Sequence, residues 1–220
     1  MNLVCAVSYS DRKALLPSFL QAIQGLEGKQ KTFLIYFGKK EELNNFRHLK
    51  EIEIEFIEAK NNRKEEFFTA FETARKKALK EKFDSLFFLD SRIIPSKECL
   101  NKLIEEKKEI VAPVCFMPRI INLFARNTRV YFANFGEKKE GNKTMQKTLF
   151  DALPSRIISA DYILLNAVLV SGKALEIEMD LNEEIIELDY ALNAKEKGIE
   201  LFVDSGNICR YREHIIAKIE

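Results

Sequence analysis

The sequence predicts a three-layer α/β/α sandwich with a mostly parallel central sheet, and three observations lead there. Short apolar runs alternate with amphipathic helical patterns through the first half of the chain. The run Ser85-Leu86-Phe87-Phe88-Leu89-Asp90 is apolar at successive positions, as a strand covered on both faces must be. The length, 220 residues and 25.5 kDa, suits one domain with a substantial core of its own.

Taken in order, Leu3 to Val7 reads as the first strand. Leu15, Leu16, Phe19, Leu20, Ile23 and Leu26 then recur at helical spacing, with Asp11 expected as the cap. Phe33 to Phe37 is a second strand closed by Gly38, and a short helical stretch follows around Glu41 to His48. Ile52 to Ile57 alternates apolar and acidic residues, the pattern of an edge strand. Phe67, Phe71, Ala74 and Ala78 mark one face of a long helix between Arg63 and Lys80. After the strand ending at Asp90 come a helix from Ser96, its expected cap, to Lys107 and a buried strand from Ile110 to Val114. Beyond Pro118 the rhythm changes. Arg129 to Phe135 reads as a strand, Gly136 to Lys147 as an exposed hairpin tip or mobile loop, and Tyr162 to Val170 as an apolar strand. Glu183 to Lys197 has helical spacing, stops at Gly198 as a C-cap glycine would make it, and leads into the strand Ile199 to Val203. The expected organisation is one domain over 1–220, with 1–117 as one functional half and 118–220 as the other.

Composition narrows the function classes. A formal net charge of +1, with 31% charged and 46% hydrophobic residues, gives no global attraction to nucleic acid or anionic lipid. Met1 to Val7 reads as a strand and not as a signal peptide, and no apolar run approaches the roughly 20 residues of a membrane-spanning helix. Four cysteines, widely spaced and without a C-x-x-C pair, point to buried thiols in a reducing, cytoplasmic setting. No glycine-rich phosphate loop, dinucleotide fingerprint, G-x-S-x-G elbow or H-E-x-x-H pair occurs.

Ligands of open α/β sheets bind beyond the carboxyl ends of the strands. Asp90 ends the central strand and is the first candidate, its alternatives being a helix cap or a plain ion pair with Arg92. Tyr9, Asp11 and Arg12 form the polar turn after the first strand. Asn61, Asn62 and Arg63 follow the third, where they could border a ligand or cap the next helix.

In their order along the chain these segments resemble the GT-A glycosyltransferases, especially inverting family 2 and its relatives. Leu86 to Ile94, then Pro95 and Leu100-x-x-Leu103, is similar to that family's Asp-x-Asp strand, proline and helix. Ile110 to Val114 resembles the strand that follows. Ala6 to Arg12 resembles the first strand and nucleotide-contacting turn, and Ala74-Arg75 the arginine-bearing helix. Ile186 to Tyr190, with Ala194, Gly198 and Val203-Asp204, resembles the unit whose acidic residue is the catalytic base. The resemblance implies a transferase that moves a sugar from a nucleotide-diphospho-sugar to a carbohydrate, protein or lipid-linked acceptor, with inversion. Under it, Ser8, Tyr9, Asp11, Arg12, Asn61, Arg63, Arg75, Asp90, Ser91 and Arg92 would hold the donor. Glu187 would be the base with Asp189 as competitor, and Asn166 would lie on the acceptor side. The chain departs from the pattern at three places: Arg92 stands where the second Asp is usual, Ile186-Glu187 stands where a pair of acidic residues is usual, and Tyr211 falls near the usual metal-ligand histidine, with His214 three residues later. Three readings follow: a divalent cation (Mn or Mg) held by Asp90 with His214, a cation replaced by Arg92 and lysines, or a noncatalytic nucleotide- or glycan-binding descendant. A nucleotidyltransferase on a similar sheet is disfavoured, because its glycine-rich, basic N-terminal signature is missing. The basic group Lys138, Lys139, Lys143 and Lys147 is a solvated loop or a closure over an anion.

Overall fold

Six consecutive buried residues, Ser85–Asp90, make β4 the middle of the sheet in a computed structural model of the chain. The structure describes residues 1–44, 52–60, 62–123, 126–139, 144–181 and 186–212. β1 (Asn2–Tyr9) pairs in parallel with β4 on one side and with β2 (Gln30–Phe37) on the other; β2 pairs in parallel with β3 (Glu53–Ile57) at the edge. The short β5 (Ile93–Ile94) follows β4. β6 (Ile110–Leu123) and β7 (Arg126–Lys138) run antiparallel, and β8 (Thr144–Thr148) adds to β7. β9 (Ile157–Ala160), β10 (Tyr162–Ile163), β11 (Ala167–Ser171) and β12 (Leu201–Tyr211) complete it. The path is β10-β7-β6-β11-β4-β1-β2-β3, with β12 parallel to β6. The result is a large, mostly parallel sheet with flanking helices, as the alternation predicts.

Alternation along the strands decides which helices lie on which face. Leu3, Cys5, Val7 and Tyr9 of β1 and Leu86 and Phe88 of β4 pack with α2 (Arg63–Lys80) and α4 (Ile186–Glu196). Val4 and Ala6, with Phe87 and Leu89, meet α1 (Leu16–Gln24) and α3 (Cys99–Glu105) on the opposite face. Each fully buried phenylalanine or leucine here contributes on the order of 1.5–3 kcal/mol from burial. Phe88 contacts Phe71 edge-on at 5.2 Å, and Phe71 contacts Tyr190 at 5.4 Å, so aromatic rings tie β4 through α2 to α4.

Several boundaries differ from the sequence expectation. Asn62 caps α2, accepting from the Lys64 amide at 3.0 Å, whereas Asp11 caps nothing and pairs with Arg63. α3 begins at Cys99 with no side-chain cap, so Ser96 is not one. The apolar stretch from Tyr162 to Val170 splits into β10 and β11. β11 enters antiparallel between β4 and β6, a placement that no local pattern specifies. β6 and β12 extend past Val114 and Val203; beyond Cys115 β6 pairs with β7, and the end of β12 pairs with β5. Of the segment Gly136 to Lys147, the described residues include the end of β7 and most of β8, which pair antiparallel, and 140–143 lie outside the described residues. Where β6 leaves the main sheet, Pro113 lacks an N–H. The buried amide of Asn134 bridges there, donating to the Pro113 carbonyl at 3.0 Å and accepting from Cys115 N at 2.8 Å. All four cysteines are buried and free, with Cys99 and Cys209 sulfurs 3.7 Å apart.

Candidate active site

β4 delivers Asp90 to the carboxyl end of the sheet, where its carboxylate is 4% exposed. Register pairs Asp90 with Val7 on one side, and the Asp90 amide donates to the Asn166 carbonyl at 2.8 Å on the other. Both carboxylate oxygens are engaged. Arg12 Nη1 reaches them at 2.9 and 3.2 Å from the turn after β1. Arg92 folds back with Nε at 2.9 Å and Nη2 at 3.3 Å, and its backbone amide adds a third contact at 2.9 Å. Arg92 Nη1 also donates to the Tyr211 hydroxyl at 3.2 Å, and its guanidinium lies 5.5 Å from that ring's centre. β5 pairs with the end of β12, which fixes this arrangement. Burial opposes the charge on Arg92, but Asp90 beside it outweighs burial and raises its pKa.

Tyr9 supports the cluster from below. Its ring stacks on Phe37 at 5.3 Å and carries the guanidiniums of Arg12 at 4.8 Å and Arg63 at 3.9 Å. Burial, with Asp90 adding, raises its phenol pKa well above the ordinary value. Arg63 is held by Asp11 at 2.6 Å and by Glu66 at 2.7 Å. Beyond β1, β2 and β3 lie two adjoining recesses of about 290 and 520 Å³ that share Ser10 and Ala59. Tyr9, Asp11 and Arg63 line the smaller. Ser8 and Ser91 are fully buried beside Asp90, and their hydroxyls have no partner among the described residues. Asn61 and His214 lie outside the described residues, as do His48 and Lys143.

Glu187 opens α4 on the same face of the sheet as Asp90. Asp90 follows Phe88 by two residues on β4 and Glu187 precedes Tyr190 by three on α4, at opposite ends of the Phe88–Phe71–Tyr190 stack. Burial raises the Glu187 pKa, against its own backbone amide and the charge of Lys64. Lys64 belongs to the first turn of α2, next to Arg63 of the smaller recess. Asp189 faces elsewhere: its Oδ2 accepts from the Asp180 amide at 2.9 Å and from Asn193 at 3.3 Å. Asn166, 8% exposed, is opposite Asp90 by the β11 register and shares its face. Its Nδ2 reaches only the Met117 sulfur at 3.6 Å, and its Oδ1 has no partner among the described residues. Tyr211 continues the site into a groove of about 420 Å³ with Phe116, Tyr131 and Arg210.

Arg75 stands apart. It lies twelve residues beyond Arg63 on α2, about 18 Å along the axis. It is 3% exposed, pairs with Glu72 at 2.7 and 2.8 Å and donates to the Leu175 carbonyl at 3.0 Å. Arg75→Met therefore leaves buried Glu72 with only the longer Lys76 contact at 3.8 Å and the Leu175 carbonyl without its donor. It is expected to lower stability by about 3 kcal/mol without changing nucleotide affinity. Urea unfolding and nucleotide titration of the same variant check both halves, and weakened nucleotide binding in a folded variant would return Arg75 to the donor site.

The residues at Asp90 do not fit a divalent cation. Such a cation needs free carboxylate lone pairs, and here two guanidiniums occupy them. A unit charge pair about 4 Å apart is worth about 4 kcal/mol in partly buried surroundings, so repulsion from two guanidiniums outweighs attraction to one carboxylate. Among the described residues, no group of three or more His, Cys, Asp or Glu is placed to hold a metal.

Sequence reasoning selected Arg12, Asp90 and Arg92 and offered an Asp90–Arg92 ion pair, which forms, but missed that Arg12 shares the same carboxylate. It also missed Tyr211 as the partner of Arg92, 119 positions away. The only local signal was the paired departure at positions 92 and 211.

No family model and no curated protein matches the sequence. Solved structures do match the fold. GalNAc-T7, crystallised with UDP, GalNAc and Mn2+, superposes with a TM-score of 0.69 at 11% identity over 96% of this chain and 43% of that one. TarS 1–349 of S. aureus gives 0.54 at 11% identity, over 96% and 60%. The nucleotidyltransferase 4-diphosphocytidyl-2C-methyl-D-erythritol synthase gives 0.51 at 12% identity, over 96% and 89%. This chain thus spans under two thirds of either glycosyltransferase structure, and what it shares with all three structures is their fold. No described helix is long and apolar enough to cross a membrane.

Proposed function

We propose that the protein transfers a sugar from a nucleotide-diphospho-sugar to an acceptor hydroxyl, with inversion. The observation that carries this reading is Asp90, clamped between Arg12 and Arg92 at the carboxyl end of β4, on the sheet face where Glu187 opens α4. The nucleoside would occupy the recess lined by Tyr9, Asp11 and Arg63, and its diphosphate would reach toward Arg12 and Arg92. Glu187, its pKa raised by burial, takes the acceptor proton. The acceptor oxygen then attacks the anomeric carbon. The bond from that carbon to the phosphate oxygen breaks, its electron pair leaves with the diphosphate, and the two guanidiniums stabilise the charge that develops. The groove bordered by Phe116, Tyr131 and Tyr211 would take the acceptor, its aromatic rings suiting a carbohydrate. Buried free thiols accord with a cytoplasmic setting.

A panel of nucleotide-sugars tests this by thermal shift, followed by assay of released nucleoside diphosphate with and without candidate acceptors. Stabilisation by one nucleotide-sugar together with slow hydrolysis of that donor is the expected result. A second reading, a noncatalytic nucleotide or glycan binder, is favoured by Arg92 at the end of the Asp90 turn; stabilisation with no turnover for any acceptor would select it.

A further inference from the structure

The end of β4 is built for an anion, and we propose that Arg12 and Arg92 grip the donor's diphosphate directly, with no divalent metal between protein and phosphate. The inference rests on the nucleotide-sugar reading above. Two guanidiniums against one carboxylate leave the cluster positive. Arg12 touches Asp90 through Nη1 alone, so its Nε and Nη2 have no hydrogen-bond acceptor among the described residues. Asp90 holds the two forks in place before any ligand arrives, and Tyr211 and Tyr9 fix their planes. A phosphate oxygen can accept the remaining N–H groups without displacing Asp90. Arg63 nearby is paired with two carboxylates, Asp11 and Glu66, a group of net charge −1, so the excess positive charge lies on Arg12 and Arg92 around Asp90. The unpartnered, buried Oδ1 of Asn166, on the same face, would accept a hydroxyl from the neutral sugar beside the diphosphate.

Calorimetric titration of the full chain with UDP, GDP, CDP and ADP, in EDTA and again with manganese, tests this. At least one should bind with the same Kd in both conditions. Binding only with manganese overturns the inference and leaves the sugar-transfer reading intact; binding of none in either condition overturns both. Arg92→Asp supplies a second carboxylate and removes one guanidinium. Its affinity in EDTA should fall by about 10- to 100-fold, with manganese restoring part of it. Arg12→Lys keeps the charge but loses the fork and should weaken binding less than Arg12→Gln. Wild-type affinity in EDTA for both Arg92→Asp and Arg12→Gln would also overturn the proposal.

Discussion

Glu187→Gln is expected to reduce sugar transfer by about 10²- to 10⁴-fold, the range for loss of a general base. Affinity for the nucleoside diphosphate should not change. The amide has the same shape but cannot accept the acceptor's proton, and Glu187 belongs to α4, whereas the guanidiniums that would hold the donor follow β1 and β4 and pair with Asp90. Burial raises its pKa, so the rate should climb with pH at values above the ordinary glutamate range and then level off. Stability should follow with the opposite sign. Above the raised pKa the folded state carries a carboxylate that burial disfavours, whereas below the unfolded value both states are protonated and the penalty vanishes. Glu187→Gln should therefore raise the thermal midpoint at neutral pH, and this gain should disappear in acid. A variant that transfers sugar as fast as the parent would remove Glu187 from the mechanism and reopen the assignment to Asp189.

Asp90→Ala should produce the largest loss of stability of any single change at the site, about 3 kcal/mol. It leaves two guanidiniums facing each other without a counter-ion and orphans the Arg92 amide. Breaking a buried pair costs roughly 3–5 kcal/mol. The lower end applies because the side chains of Arg12 and Arg92 are 14% and 30% exposed and retain some water. The readout is the urea midpoint at constant m-value. The pairing is coupled, so Arg12→Ala in the Asp90→Ala background should cost less than in the parent. Equal costs in both backgrounds would mean that the two residues do not act together.

The parts of this molecule written in local pattern were legible. The 18 residues of α2 follow from Phe67, Phe71, Ala74 and Ala78 on one face, Asn62 at the cap and charges elsewhere. β4 follows from its unbroken apolar run, and β3 from its acidic alternation at the edge. Gly198, at a φ of +74°, stops α4 where a side chain would be strained. The insertion of β11 between β4 and β6 was not legible. Ala167 to Ser171 is apolar enough to be buried anywhere in a sheet, and its orientation depends on which neighbours remain to be paired. Arg75 was read as a donor ligand because its helix resembles an arginine-bearing one. The fold instead sets it against Glu72 and the Leu175 carbonyl, a partner 100 positions away.

By itself the sequence determined the sheet-and-helix alternation, the central position of β4 and the presence of Asp90 at its end. Each is set by side-chain burial over a few residues. Only the tertiary structure decided what Asp90 does. Arg12 arrives from 78 positions away, and Tyr211 secures Arg92 from the far end of the chain. A carboxylate's chemistry is set by the charges within a few ångströms of it, and in this protein those charges are brought together by strand order.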